Sequence, residues 1–169
     1  MKLKDLLIGG SKGGWGLTKL NLALGFGIPF NKPHGIKVKS LSLHKTETFI
    51  PYKRRNWNHI KGTHACAIAT VSEFSAGLLL MMNLDADNYR IIMRSISVEY
   101  FYQCKMDAVA TSVAEGEELQ SDMKNSLAGN TEGVYKEIET KLHTKDGKHV
   151  ATAKTLWQIK EWSQVKTKV

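Results

Sequence analysis

Between Ala65 and Met82 the chain reads Ala-Cys-Ala-Ile-Ala-Thr-Val-Ser-Glu-Phe-Ser-Ala-Gly-Leu-Leu-Leu-Met-Met, a run with no polar face and one charged side chain, Glu73. A helix that is apolar all round has to be buried all round. Two environments can do this, a bilayer or a sheet wrapped around the helix. Glu73 weighs against the bilayer, because an acid at the centre of a span costs ~2.5–3.5 kcal/mol. The segments on either side read as strands, so the expectation is a central helix over 63–84 enclosed by a sheet, not a membrane span.

The flanking segments say what kind of sheet. Gly9-Gly10-Ser11-Lys12-Gly13-Gly14-Trp15-Gly16 is glycine-rich without the spacing of a phosphate-binding loop, and reads as a flexible or turning lead-in. Leu17, Leu20 and Leu24 recur at helical spacing with Gly25 as their cap, giving an N-terminal helical lead-in over 1–35. Ile36 to Ile50 reads as extended. Ile36 and Val38 share one parity and Leu41, Leu43 and Phe49 the other, which implies a bulge near Lys39-Ser40. Arg90 to Lys105 and Asp107 to Ala114 are rich in β-branched and aromatic residues and read as strands, with 115–133 a polar, turn-like connection.

A C-terminal hairpin over 134–161 follows from alternation and from Asp146-Gly147, a pair suited to a two-residue type I′ turn. With Lys145 opposite Lys148, Leu142 faces Ala151, Ile138 faces Thr155 and Val134 faces Ile159. On the other face Glu139 meets Lys154. Helix, strand, long buried helix and then four strands, without βαβ alternation, place the chain in the α+β class with a mainly antiparallel sheet. A curved sheet around one long apolar helix is the hotdog architecture, expected here as a single domain over 1–169.

Composition narrows the setting. A hydrophobic share of 42% and a charged share of 24% are those of an ordinary globular chain. Cys66 and Cys104 sit in apolar segments and make neither a disulfide framework nor a metal site, so a reducing, cytoplasmic compartment is expected, with no metal or organic cofactor. A net charge of +8 favours anionic partners such as coenzyme A phosphates, acidic carrier proteins, nucleic acid or anionic lipid. The lysines are spread from end to end rather than interleaved with aromatics, so a nucleic-acid reader is not expected.

Candidate chemistry gathers where the loop Asn56-Trp57-Asn58-His59-Ile60-Lys61-Gly62-Thr63 runs into the helix. Gly62 would permit a tight turn and Thr63 would cap the helix. The first-turn amides of His64 and Ala65 would then be free donors at the positive end of the macrodipole, fit to hold a carbonyl gaining negative charge. Glu73 must be hydrogen-bonded, paired or shifted upward in pKa, and its helical neighbours Cys66, Ala69, Thr70, Ala76 and Gly77 are all small enough to leave room beside it. Ala65 and Glu73 are about 12 Å apart along a helix rising ~1.5 Å per residue. The two cannot touch one reacting carbonyl unless Glu73 comes from a second protomer, so a shared site predicts a homodimer, with tetramers left open.

Asn58, Gly62, His64 and Glu73, in that order and leading into a helix, resemble the motif of the phenylacetate-degradation-type hotdog thioesterases. In that family an asparagine and a glycine precede His-Gly-Gly, and an acid follows on the helix. The Gly62-Thr63-x-Ala65 flavour is closer to an uncharacterised thioesterase-like branch. The resemblance implies hydrolysis of acyl-coenzyme A or acyl-carrier thioesters. Asn58 would position the carbonyl or the attacking water, the Ala65 amide would polarise the carbonyl, and His64 would shape the turn. Glu73 of the partner would act as general base or nucleophile. Lys53, Arg54, Arg55 and Lys61 flank the motif and would contact coenzyme A phosphates, and Gly62 within it is expected among the substrate-binding residues. Ala65-Cys66 departs from the family's two glycines, keeping the amide but narrowing the approach. The alternatives are a non-catalytic hotdog module that binds acyl thioesters or dimerises, and a hotdog dehydratase or hydratase.

Overall fold

A computed structural model of the chain describes residues 2–165, so both ends of the expected 1–169 domain lie outside the described residues. In chain order the elements are α1 (Leu3–Ser11), α2 (Gly14–Gly27), α3 (Asn31–His34), β1 (Lys37–Leu41), β2 (Lys45–Ile50), α4 (Ala65–Asn83), β3 (Tyr89–Tyr100), β4 (Ala108–Val113), α5 (Gly116–Leu127), β5 (Val134–Thr144) and β6 (His149–Glu161). One six-stranded sheet runs β1-β2-β4-β5-β6-β3, with every pairing antiparallel. α4 touches all six strands. An antiparallel sheet closed around one buried helix is the hotdog architecture, and the chain has it.

α4 is long and apolar enough to cross a membrane by length and composition, but its apolar side chains are spent on the sheet. Val71, Leu79, Leu80 and Ala76 are sealed in the core. Hydroxyl groups fix its rotation. Thr48 Oγ1 donates to the Val71 carbonyl at 2.8 Å, and Ser112 Oγ donates to Ser75 Oγ at 3.0 Å. Ser75 and Glu73 are two residues apart, about 200° around a helix of 3.6 residues per turn. Keying Ser75 to β2 and β4 therefore turns Glu73 away from those two strands. Gly77 admits the sheet's largest side chain, since a Cβ there would lie 2.9 Å from Cη2 of Trp157.

Several sequence expectations change in detail. The glycine-rich lead-in is not loose: α1 and α2 form a helical hairpin turned at Gly13 and Gly14, both at positive φ, and a Cβ at Gly16 would run into the Gly9 carbonyl. Gly25 does not cap α2, which continues to Gly27. Ile36 to Ile50 is two strands joined by a tight turn, although the register does shift between Val38 and Ser40 as the parity change requires. Residues 115–133 hold a helix, α5, whose Leu119, Met123 and Leu127 at helical spacing are buried beneath a polar majority.

The hairpin pairs Leu142 with Ala151, Ile138 with Thr155, Val134 with Ile159 and Glu139 with Lys154, as expected. The turn is a different one. Gly147 is at positive φ but Asp146 is not, and Thr144 N donates to the Lys148 carbonyl, which is a three-residue loop rather than a type I′ turn. A second irregularity, with Val150 as the extra residue between His149 and Ala151, restores the expected register. Two one-residue offsets cancel.

The two sheet edges differ. At β1 the Asn21 side chain of α2 imitates a strand, donating from Nδ2 to the Val38 carbonyl at 2.9 Å and accepting from Val38 N at 2.8 Å. At the other end β3, twelve residues long, has no strand outside it among the described residues.

Candidate functional site

The loop before α4 is built by its two asparagines. Asn56 is buried; its Nδ2 donates to the His34 and Pro51 carbonyls, and its own carbonyl accepts the His64 amide at 2.7 Å. Asn58 Oδ1 accepts the Ile60 and Gly62 amides at 3.1 and 2.9 Å, leaving its Nδ2 without a partner among the described residues. The left-handed residue of the loop is Lys61 (φ 59), whose carbonyl accepts from the Tyr52 hydroxyl. Gly62 is there for close approach, because a Cβ would fall 2.8 Å from Cγ of Gln103.

His64, not Thr63, caps α4: its Nδ1 accepts the Cys66 amide at 3.1 Å. With Nδ1 accepting, the proton of the neutral ring sits on Nε2. Thr63 instead ties the helix start to the next loop, donating its amide to the Cys104 carbonyl. Of the first-turn amides, that of His64 is taken by Asn56 and that of Cys66 by the His64 ring. Ala65 alone, exposed at the first helical position, keeps a free N–H among the described residues. The Tyr100 hydroxyl donates to the Ala65 carbonyl at 3.1 Å. Burial, and then the neighbouring Cys66 thiol, hold that phenol above its ordinary pKa, so it stays a donor. Sequence reasoning missed Tyr100; nothing in its strand marked it out.

Glu73 lies on the opposite side of the helix from Ser75 and faces a groove bordered by β3 and by α1 and α2. It makes no hydrogen bond and no ion pair among the described residues, and burial pushes its carboxyl above the ordinary glutamate value of 4.5. The carboxyl stands in a groove of about 910 Å³ walled by Leu6, Leu24, Ile28, Met81, Ile92 and Ile96. Cys66, Ala69, Thr70 and Gly77 border the groove beside Glu73, while Ala76, grouped with them by sequence, is sealed in the core. A smaller cavity of about 220 Å³ at the start of α4 is lined by Arg55, Trp57 and His64, and shares Phe30, Cys66 and Thr70 with the groove. Arg54, Arg55 and Lys61 are exposed around this end and form no ion pair among the described residues. Asn58, Gly62, His64 and Ala65 are thus brought together. Glu73 is two helical turns away on the same α4.

The chain is thus a hotdog fold in which Glu73 is the one carboxylate lining the apolar groove among the described residues. The sequence model of the DUF4442 domain of unknown function matches residues 16–159, and the chain belongs to that family. Among solved structures it is similar to a Pseudomonas aeruginosa protein of unknown function described as a "probable thioesterase". The two share 22% identity over 85% of this chain and 95% of that one, with a TM-score of 0.75. It is also similar to a mutant thioesterase from the same organism (14% identity, 86% and 94% covered, TM-score 0.69). A Haemophilus influenzae thioesterase superposes with a TM-score of 0.69 at 11% identity, with 86% and 90% covered. These likenesses establish the fold. No curated protein matches the sequence.

Proposed function

We propose that this protein is a cytoplasmic acyl thioester hydrolase acting on acyl-coenzyme A or acyl-carrier substrates as a homodimer. The observation that carries the proposal is Glu73, a carboxylate without a partner among the described residues, facing an apolar groove of ligand size. A carboxyl held above its ordinary pKa is a better general base near neutrality than an exposed one. Glu73 takes a proton from water as the oxygen attacks the thioester carbonyl. The Ala65 N–H holds the resulting oxyanion at the helix N-terminus, where the macrodipole adds to it. Collapse breaks the C–S bond, and the leaving thiolate takes back the proton, giving a carboxylic acid and a thiol. Asn58 Nδ2 orients the carbonyl or the water, and Arg54, Arg55 and Lys61 meet the substrate phosphates. Solved hotdog structures described as thioesterases support the reading.

In this reading Glu73 and Ala65 of one site come from different protomers, which the eight-residue spacing along α4 supports. Support comes from the edges of the sheet: β1 is blocked by Asn21, whereas β3, with no strand outside it among the described residues, offers a long edge of the kind that joins sheets across a two-fold axis. The test is hydrolysis of short-, medium- and long-chain acyl-coenzyme A by wild type and Glu73→Gln. The expected result is a loss of about 10²–10⁴-fold in kcat with the fold retained, the range of general-base catalysis. Equal rates in the two proteins would remove Glu73 from the chemistry. A folded dimer inert on every substrate would favour the non-catalytic acyl-binding module.

A further inference from the structure

The outer face of α2 is apolar where a surface helix is ordinarily polar. Trp15, Leu22 and Phe26 are 69%, 58% and 77% exposed. With Lys19 they fall on one stripe, since successive steps of four, three and four residues keep one face of a helix. Leu17, Leu20 and Leu24 hold the other side against the core. Single exposed apolar residues need no explanation, but three large ones in register on one helix, with Phe30 exposed just beyond it, do.

Charge indicates what covers this face. No Asp or Glu stands between Asp5 and Glu47, and Lys12, Lys19, Lys32, Lys37 and Lys39 in that stretch have no ion-pair partner among the described residues. Lys19 Nζ stands 5.7 Å from the centre of the Trp15 ring, and Lys32 Nζ 4.6 Å from that of Phe26. Lys2 and Lys4, by contrast, are tied to Asp87 and Asp85, fastening α1 to the body of the protein. Apolar rings level with ammonium groups suit a helix lying in a lipid headgroup region, with rings toward the acyl chains and lysines on the phosphates. A second copy brought face to face here would set lysine against lysine.

We propose that α2 docks the protein on an anionic lipid surface through Trp15, Lys19, Leu22 and Phe26, lying on the bilayer without spanning it. Ala23, Leu24 and Gly27 of the same helix wall the groove over Glu73, so docking sets the groove beside the bilayer. The consequence that its substrates carry acyl chains long enough to reside in lipid rests on the thioesterase reading; the docking does not.

The test is cosedimentation of the full chain, without substrate, with vesicles of phosphatidylcholine alone and of phosphatidylcholine with phosphatidylglycerol. Wild type should sediment with the anionic vesicles, weakly with the neutral ones, and be released by salt. Replacing Trp15, Leu22 and Phe26 together by serine should lower binding by roughly tenfold or more, with thermal melting and dimer mass unchanged. Replacing Lys12, Lys19 and Lys32 by alanine should cost about fivefold per lysine. Glu73→Gln should bind vesicles as wild type does, which separates a failure of docking from a failure of hydrolysis. The proposal is overturned by wild type that ignores anionic vesicles, or by a serine variant that binds as well as wild type. A serine variant whose assembly mass falls would assign the face to a second copy and overturn it equally.

Discussion

At the scale of single residues, the cost of the site is concentrated in Glu73. Burial holds its carboxyl above the ordinary value of 4.5, so the folded protein keeps a proton at pH values where the unfolded chain has released it. The stability that Glu73 governs is therefore complete below about pH 4.5 and is lost as pH rises through its folded-state pKa. Glu73→Gln cannot ionise and escapes that loss. The variant should match wild type in urea midpoint near pH 4 and exceed it at pH 8. A wild type more stable than the variant at pH 8 would mean that the carboxylate is paired in the assembled protein.

His64 is a test of another kind. As the cap of α4 it should lose about 0.5–2 kcal/mol on His64→Ala, while His64→Ser, which can still accept the Cys66 amide, should keep most of that stability. Comparing hydrolysis by the two variants then tells capping from chemistry: a stable serine variant with full activity limits His64 to shaping the helix end. Glu73 was legible in the sequence as a charge in a run where polarity is costly, whereas Asn58 and His64 were picked out by the resemblance of the motif they belong to. The exchange of cap between Thr63 and His64 was not legible, since both can accept an amide and only the loop's hydrogen bonds to Asn56 and Cys104 decide between them.

At the scale of elements, α4 could be read from its sequence because no other environment suits a run so apolar, and the C-terminal hairpin because alternation and turn residues agree. α5 escaped because three buried side chains in twelve residues are outvoted by polar ones unless helical spacing is counted. The turn at 145–147 escaped because two compensating offsets leave the paired residues unchanged. The contact that sets how closely α4 lies on the sheet is Gly77 against Trp157. Gly77→Ala gains helix propensity but drives a methyl to 2.9 Å from a buried indole that is itself hydrogen-bonded to Thr155. Overpacking should win, with a net loss of about 1–3 kcal/mol by denaturant titration. A neutral or stabilising result would mean that Trp157 can swing aside and that the floor of the groove is softer than its packing suggests.

At the scale of the whole molecule, the question is whether one site belongs to one chain or to two. Ala65 is the first helical residue, where proline is well tolerated, and His64 before it already has the extended backbone (φ −63, ψ 139) that proline requires of its predecessor. Ala65→Pro therefore deletes one N–H with little else disturbed. Homodimers of Ala65→Pro and of Glu73→Gln should each be inactive or nearly so. In a mixed dimer, one site pairs an intact Ala65 amide from the Glu73→Gln chain with an intact Glu73 from the Ala65→Pro chain, while the other site lacks both. Unfolding and refolding the two variants together in equal amounts should make about half the dimers mixed, each with one good site of two, and restore about a quarter of wild-type activity. If amide and carboxylate of one chain served the same site, mixing would restore nothing. Recovery near a quarter is the outcome expected of the proposed two-protomer site, because a rigid helix holds the two groups about eight residues apart within a chain.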